Sequence, residues 1–396
     1  EGDPFSTSRV KRSEQRIKDL GFFEDVTIET EEGSLADQSI IKVEVTEQPT
    51  GEIQIGAGYS TTDGALVDFS IRERNLMGRG QDLRFSTLLS SRTLELDLSF
   101  TEPYFLDRDL AAGVDLFRVE RDDRDTISYN LESTGGVIRF NYPLSDRLRQ
   151  RLAYTLAQNR VEQVFFGDSR FLRDQLGTSV KSSIEQQLIY DARDSRLRPT
   201  SGYYFLLSTE FAGVGGDVRF ISNRLTAATY WPVYSDWVLS LTSEAGYIDG
   251  LGKQVRINDR FYLGGDTLRG FEPGGIGPRA FVLDTAGNQI QSDEGEALGG
   301  KVFTRASLEL TVPLGLPEEL GVTAHAFSDA GTLSDSGQRA EVGERFRDDT
   351  TIRWTAGVGV SWRSPFGPIR LDLAYPIQKE DYDRVEQFRF SFGTRF

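Results

Sequence analysis

The chain has no cysteine, one histidine and one methionine in 396 residues. The first absence removes disulfides, zinc-thiolate sites and thiol nucleophiles together, and it is compatible with an oxidising compartment. With His325 as its single histidine and no Gly-x-Ser-x-Gly segment, the chain lacks the parts of cysteine hydrolases and of the nucleophile-elbow enzymes. Long hydrophobic runs are missing as well. No uninterrupted apolar stretch approaches the roughly 18 residues of a transmembrane helix, so a helical membrane protein is excluded. Cationic excess is also absent: a net charge of -16 argues against a nucleic-acid partner, since phosphate binding needs clustered Lys and Arg.

What is present is alternation. In the last ten residues, Phe388, Phe390, Phe392 and Phe396 fall on one face of a strand and Arg389, Ser391 and Arg395 on the other. One face suits lipid and the other a wet lumen. The segment has the length of about 9–11 residues that a membrane-spanning strand requires. The competing reading is a half-buried strand of a soluble sandwich. Composition favours the barrel: a mean hydropathy of -0.38 fits a wall that places polar lumen residues between lipid-facing ones. Forty glycines and 11% aromatic residues point the same way.

Residues 1–48 differ from the rest. Ser8 is an expected N-cap, and Val10, Ile17 and Leu20 mark a short amphipathic helix stopped at Gly21. Two strands should follow, one carrying Val26 and Ile28, the other Ile40, Ile41, Val43 and Val45. So few elements make a poor independent core, which marks this stretch as the remaining part of a small α+β module. The chain opens at Glu1-Gly2-Asp3 without an apolar signal segment and is read as processed or truncated.

From residue 49 onward, short alternating strands are separated by Gly, Asp, Asn and Pro, about sixteen in all, and an even number is what closed bacterial barrels require. In one of them Trp354, Ala356, Val358, Val360 and Trp362 oppose Thr355, Gly357, Gly359 and Ser361, with a Trp at each end where interfacial aromatic girdles belong. The exception is 248–300, about fifty residues without a convincing strand, and connections of that length are usually functional or disordered. Its glycines permit tight turns. No Gly-Lys-Ser/Thr ending or following helix supports a phosphate cradle, so no cofactor is expected. Metal ligation is unsupported too, because the acidic run Arg121-Asp122-Asp123-Arg124-Asp125 is broken by Arg and reads as a solvated turn.

Four segments, in order along the chain, resemble the BamA family of outer-membrane β-barrel assembly proteins. They are Leu20-Gly21-Phe22-Phe23-Glu24-Asp25-Val26, Thr46-Glu47-Gln48-Pro49-Thr50-Gly51, Gly264-Gly265-Asp266-Thr267-Leu268-Arg269-Gly270-Phe271 and the terminal aromatic strand. Pro365-Phe366-Gly367-Pro368-Ile369 adds to the match. The resemblance implies a mainly β protein: a transmembrane antiparallel barrel of about sixteen strands over 49–396, preceded at 1–48 by the C-terminal part of a POTRA domain. It further implies that 248–300 folds into the lumen with Leu268, Arg269, Gly270 and Phe271 at its tip, and that Glu309 and Asp329 on the inner wall receive Arg269. Strand parity supports this placement independently, turning Arg305, Glu309, His325 and Asp329 inward. The competing reading there is a general solvated network of lumen charges.

The resemblance carries a function as well: insertion of unfolded outer-membrane proteins through a weak seam between the first and last barrel strands, with lipoproteins of an assembly complex and the lipid bilayer as partners. It places the barrel in the bacterial outer membrane and the N-terminal segment in the periplasm. Related translocation or secretion pores, and a passive porin, are the alternatives. The seam would comprise Ile53, Ile55, Gly56 and Gly58 on one side and Phe390, Phe392, Gly393 and Phe396 on the other. Glycine weakens a strand, and a poorly paired edge offers backbone groups that an incoming strand can satisfy. Gln54 and Gly393 are candidate positions for a disulfide across this seam. An enzymatic reading would have to rest on His325 with Asp329, and a lone lumen histidine is better read as a structural hydrogen-bonding group.

Overall fold

The computed structural model describes residues 6–33, 39–122, 129–162, 169–283, 295–317, 320–337, 344–364 and 367–393. Phe396, Pro365, Phe366, Asp123, Arg124 and Asp125 lie outside them. Sixteen antiparallel strands close into one barrel, from Gly51–Ser60, the first, to Phe388–Phe392, the closing strand. None of the described helices is long and apolar enough to cross a membrane. The crossing elements are strands.

The alternation read from the sequence becomes a division between outer and inner wall. Val358, Leu373 and Leu116 stand exposed on the outside, whereas Thr355, Asp372 and Arg353 are buried inside. Exposed apolar side chains at these positions are the lipid-facing surface, because a barrel in a bilayer satisfies its backbone through interstrand bonds and turns its apolar face outward. Trp354 and Trp362 sit on that surface near opposite ends of their strand, Arg353–Ser364.

The N-terminal stretch folds as a helix, Thr7–Asp19, and an antiparallel pair, Phe23–Glu32 with Ser39–Glu47. The helix begins earlier than expected. Ser6, not Ser8, holds the N-cap position, and its hydroxyl bonds Ser8 Oγ at 3.0 Å instead of capping the backbone. Gly21, at φ 68°, takes the left-handed turn that ends this segment.

The long connection is more structured than its sequence indicates. Between the strands Trp237–Gly250 and Val302–Pro313 it forms two 3-10 turns and three short strands, Gly270–Phe271, Arg279–Val282 and Glu296–Ala297. These short strands pair within the connection or with other loops. No periodic signal announces strands of two to four residues, which explains why the sequence reads as irregular. Apolar side chains of the connection, including Val255, Leu263, Leu268 and Phe271, pack with wall residues such as Phe220 and Phe303 into a core inside the barrel. That core fixes the connection within the lumen.

Candidate functional site: a lumen-anchored loop beside a weak seam

Leu268 and Phe271 are fully buried in the core just described, and this aims the intervening Arg269 at the inner wall. Its guanidinium forms a two-pronged bond with Asp329, Nε to Oδ2 at 2.7 Å and Nη2 to Oδ1 at 2.7 Å. Nη1 donates to Glu309 Oε2 at 2.6 Å and Nη2 to Ser307 Oγ at 2.9 Å. The same group lies 3.5 Å from the centre of the Phe327 ring. Planar fork geometry suits a guanidinium to this combination of carboxylates and ring face, and an ammonium could not reproduce it. Gly270 is required beside it: at φ 94° its backbone lies so close to the wall that a Cβ would come within 2.9 Å of Thr355 Cγ2.

The wall's other charges continue the network. Glu309 Oε2 also accepts from Arg370 Nη2 at 3.1 Å, and Arg370 Nε donates to Asp372 Oδ2 at 2.8 Å. His325 Nε2 lies 2.5 Å from Asp372 Oδ1. His325 and Asp329, the pair on which an enzymatic reading would have had to rest, are not partners: Asp329 is occupied by Arg269, and the histidine's carboxylate comes from a different strand. Arg305, turned inward as parity requires, pairs with Glu244 at 2.7 Å and donates to the Thr267 carbonyl at 3.0 Å. A cavity of about 470 Å³ opens beside these groups, lined among others by Arg269, Glu309, Asp329, Asp372 and Arg389. Ser307, Arg370 and Asp372 went unsingled in the sequence, although their inward parity was available as a signal.

Elsewhere in the loop, Asp259 is buried 3.9 Å from Lys181. Burial pushes its carboxyl up to about 6, against the partial relief given by Lys181.

The seam is the second component. Among the described residues, the closing strand shares two register pairs with the first, Ser391 with Ser60 and Phe392 with Tyr59. It shares five with its other neighbour, Gly367–Gln378. One further backbone bond, Thr61 N to Phe390 O at 3.0 Å, extends the seam. Ile53 and Ile55 have no closing-strand partner among the described residues, and they are 66% and 77% exposed on the outer face. Gly58 and Gly393 meet across the gap. A Cβ at Gly58 would sit 2.3 Å from the Phe392 carbonyl, and Gly393, at φ 125°, adopts a conformation that favours glycine. Gly56 faces the Asp68 side chain instead. Gln54 does not face Gly393, which lies against Gly58, so of the candidate crosslink positions these two do not form a pair.

A closed barrel with a lipid-facing wall, a long loop anchored within its lumen and, among the described residues, a closing ladder of two register pairs defines a class of integral outer-membrane β-barrels. The Omp85 superfamily domain matches residues 75–396, and the chain belongs to that superfamily. It is similar over its whole length to the outer membrane protein assembly factors BamA of Neorickettsia risticii, at 32% identity over 52% of that protein, and of Neisseria meningitidis serogroup B, at 28% over 53%. The chain spans about half the length of these relatives. A crystal structure of BamA from Haemophilus ducreyi lacking POTRA domains 1-3 shares the fold, with a TM-score of 0.84 and 24% identity, covering 99% of this chain and 79% of that one. The barrel is one of the bacterial outer membrane.

Proposed function

We propose that this chain is the membrane-embedded part of an assembly factor that folds and inserts β-barrel clients into the outer membrane. The observation that carries the reading is the seam: two register pairs among the described residues where the neighbouring interface has five. A strand edge with unmet N–H and C=O groups is a template for an incoming strand, and client hairpins can add there by main-chain pairing. The lumen anchor around Arg269 holds the loop against the inner wall while the seam is closed. The likeness to proteins named as assembly factors supports the same reading. No nucleotide or chemical step is assigned; pairing and burial of the client provide the driving force.

In this reading residues 1–48 are the C-terminal part of a POTRA domain on the periplasmic side and 49–396 the barrel. The helix and strand pair at 6–47 are compatible with such a remnant. Ile41, Val43 and Val45 leave an apolar strand face open to packing, and accessory lipoproteins are expected on that side of the membrane. The test is reconstitution of the chain in liposomes, addition of an unfolded outer-membrane protein, and scoring of its protease-protected, heat-modifiable form. Insertion above the rate in empty liposomes is expected. Equality of the two rates overturns the proposal.

A further inference from the structure

We propose that Arg389 is a positioning residue that ties the closing strand to both the inward loop and the first barrel hairpin, so that loop release and seam opening are a single event. The inference deepens the insertion reading given above and rests on it. Arg389 lies on the closing strand between the outward Phe388 and Phe390, and it is 7% exposed. Its Nη1 donates to Thr62 Oγ1 at 2.8 Å, at the tip of the hairpin that follows the first strand, and to Asp266 Oδ1 at 3.1 Å in the loop. Nη2 meets the Glu386 carboxylate. The bond to Thr62 crosses the seam. Where the ladder has shrunk to two register pairs among the described residues, one charge-assisted hydrogen bond is a large share of what holds the edges together. Asp266 is 86% exposed, so its ion pair is screened and the Thr62 and Glu386 bonds bear more of the hold.

The loop also grips, through its backbone, the segment that leads into this strand. Gly270 and Phe271 pair antiparallel with Glu386 and Val385. Glu272 N donates to Arg384 O at 3.1 Å, and Arg384 N to Gly275 O at 2.9 Å. Residues 384–386 run directly into the closing strand at Phe388. The two motif residues that follow Arg269 therefore form the last ladder before the barrel closes. Moving the loop tip off Glu309 and Asp329 pulls on that ladder, and through Arg389 on Thr62. The coupled elements are contiguous, which gives the coupling a physical path.

Ser60 and Ser391 are register partners on the lumen face of the seam, so a Ser60→Cys/Ser391→Cys chain, otherwise free of thiols, reports seam closure as its rate of disulfide formation under mild oxidation. The assay needs no client, so its result is independent of whether insertion occurs. In this background Arg389→Gln and Thr62→Val should each slow crosslinking, by an amount on the order of threefold to tenfold for the loss of the one cross-seam hydrogen bond they share, and Arg269→Ala, which frees the loop tip from Glu309 and Asp329, should slow it in the same direction. Arg389→Lys should restore part of the rate. Arg139→Gln, which removes a lumen cation paired with Asp115 on the far wall, should leave the rate unchanged. Folding of each variant is checked by heat-modifiability, and Thr62→Val, nearly isosteric, keeps the question answerable should an Arg389 variant fail to fold. Crosslinking at the parent rate in both Thr62→Val and Arg389→Gln, crosslinking at the parent rate in Arg269→Ala, or equal slowing by Arg139→Gln overturns the proposal.

Discussion

At the scale of single residues, the anchor and Asp259 make contrasting claims about charge. Arg269 is paired on two sides, and removing it strands Asp329, itself 2% exposed, without its main partner. Breaking one side of a buried ion pair costs about 3–5 kcal/mol in typical cases. Arg269→Ala is therefore expected to leave a folded barrel with a loosened loop and impaired client insertion, and Arg269→Lys to rescue it only in part because the fork is lost. A double-mutant cycle with Asp329 should give coupling well above the ~0.3–0.5 kcal/mol scatter of independent sites; wild-type insertion by the Ala variant at equal abundance would sink the claim. Asp259 behaves oppositely. Its folded carboxyl titrates at about 6 instead of 3.8, so the fold favours the protonated form. Its contribution to stability is then fully present below pH 3.8 and is lost as the pH rises to about 6. Asp259→Asn should raise the heat-unfolding midpoint at pH 7.5 and flatten its dependence between pH 4 and 6, and an unchanged pH profile would refute the assignment. Parity identified which wall side chains face inward, since it depends only on a period of two. It could not assign Asp372 to His325 or Thr62 to Arg389, because partners on different strands are set by register and closure.

At the scale of elements, the strands were legible wherever apolar and polar residues alternate. Phe388, Phe390 and Phe392 announced the closing strand, and Trp354 to Trp362 another, because the bilayer imposes the same alternation on each wall strand. The elements that escaped notice are those held by tertiary pairing alone. Gly270–Phe271 is a two-residue strand whose partner, Val385–Glu386, lies over a hundred positions away. Such a ladder has no local signature, and its location is decided by the apolar packing of Leu268 and Phe271 within the lumen. The helix start moved for a related reason. Ser8 has the right chemistry for a cap, but the chain turns into the helix at Ser6, where geometry and not side-chain bonding sets the first turn.

At the scale of the whole molecule, the barrel is uneven in its hold on itself. Strands such as Leu148–Glu162 and Gly177–Asp191 pair along nearly their full length, fourteen register pairs, while closure depends on two among the described residues. A barrel that must stay shut as a pore gains nothing from such a seam, whereas one that must receive a strand requires it. The consequence can be tested with the same cysteine pair used as a lock. Oxidised Ser60→Cys/Ser391→Cys chain should form an intact, heat-modifiable barrel that no longer inserts client, and reduction should restore insertion to the level of the unmodified chain, because the only change is whether the two edges can part. Oxidation of either single variant should have no effect. A passive channel would show equal conductance in both states and no insertion in either. Full insertion with the crosslink quantitatively formed would rule out entry at this edge and move the client's path to another part of the wall, leaving membership in the superfamily untouched.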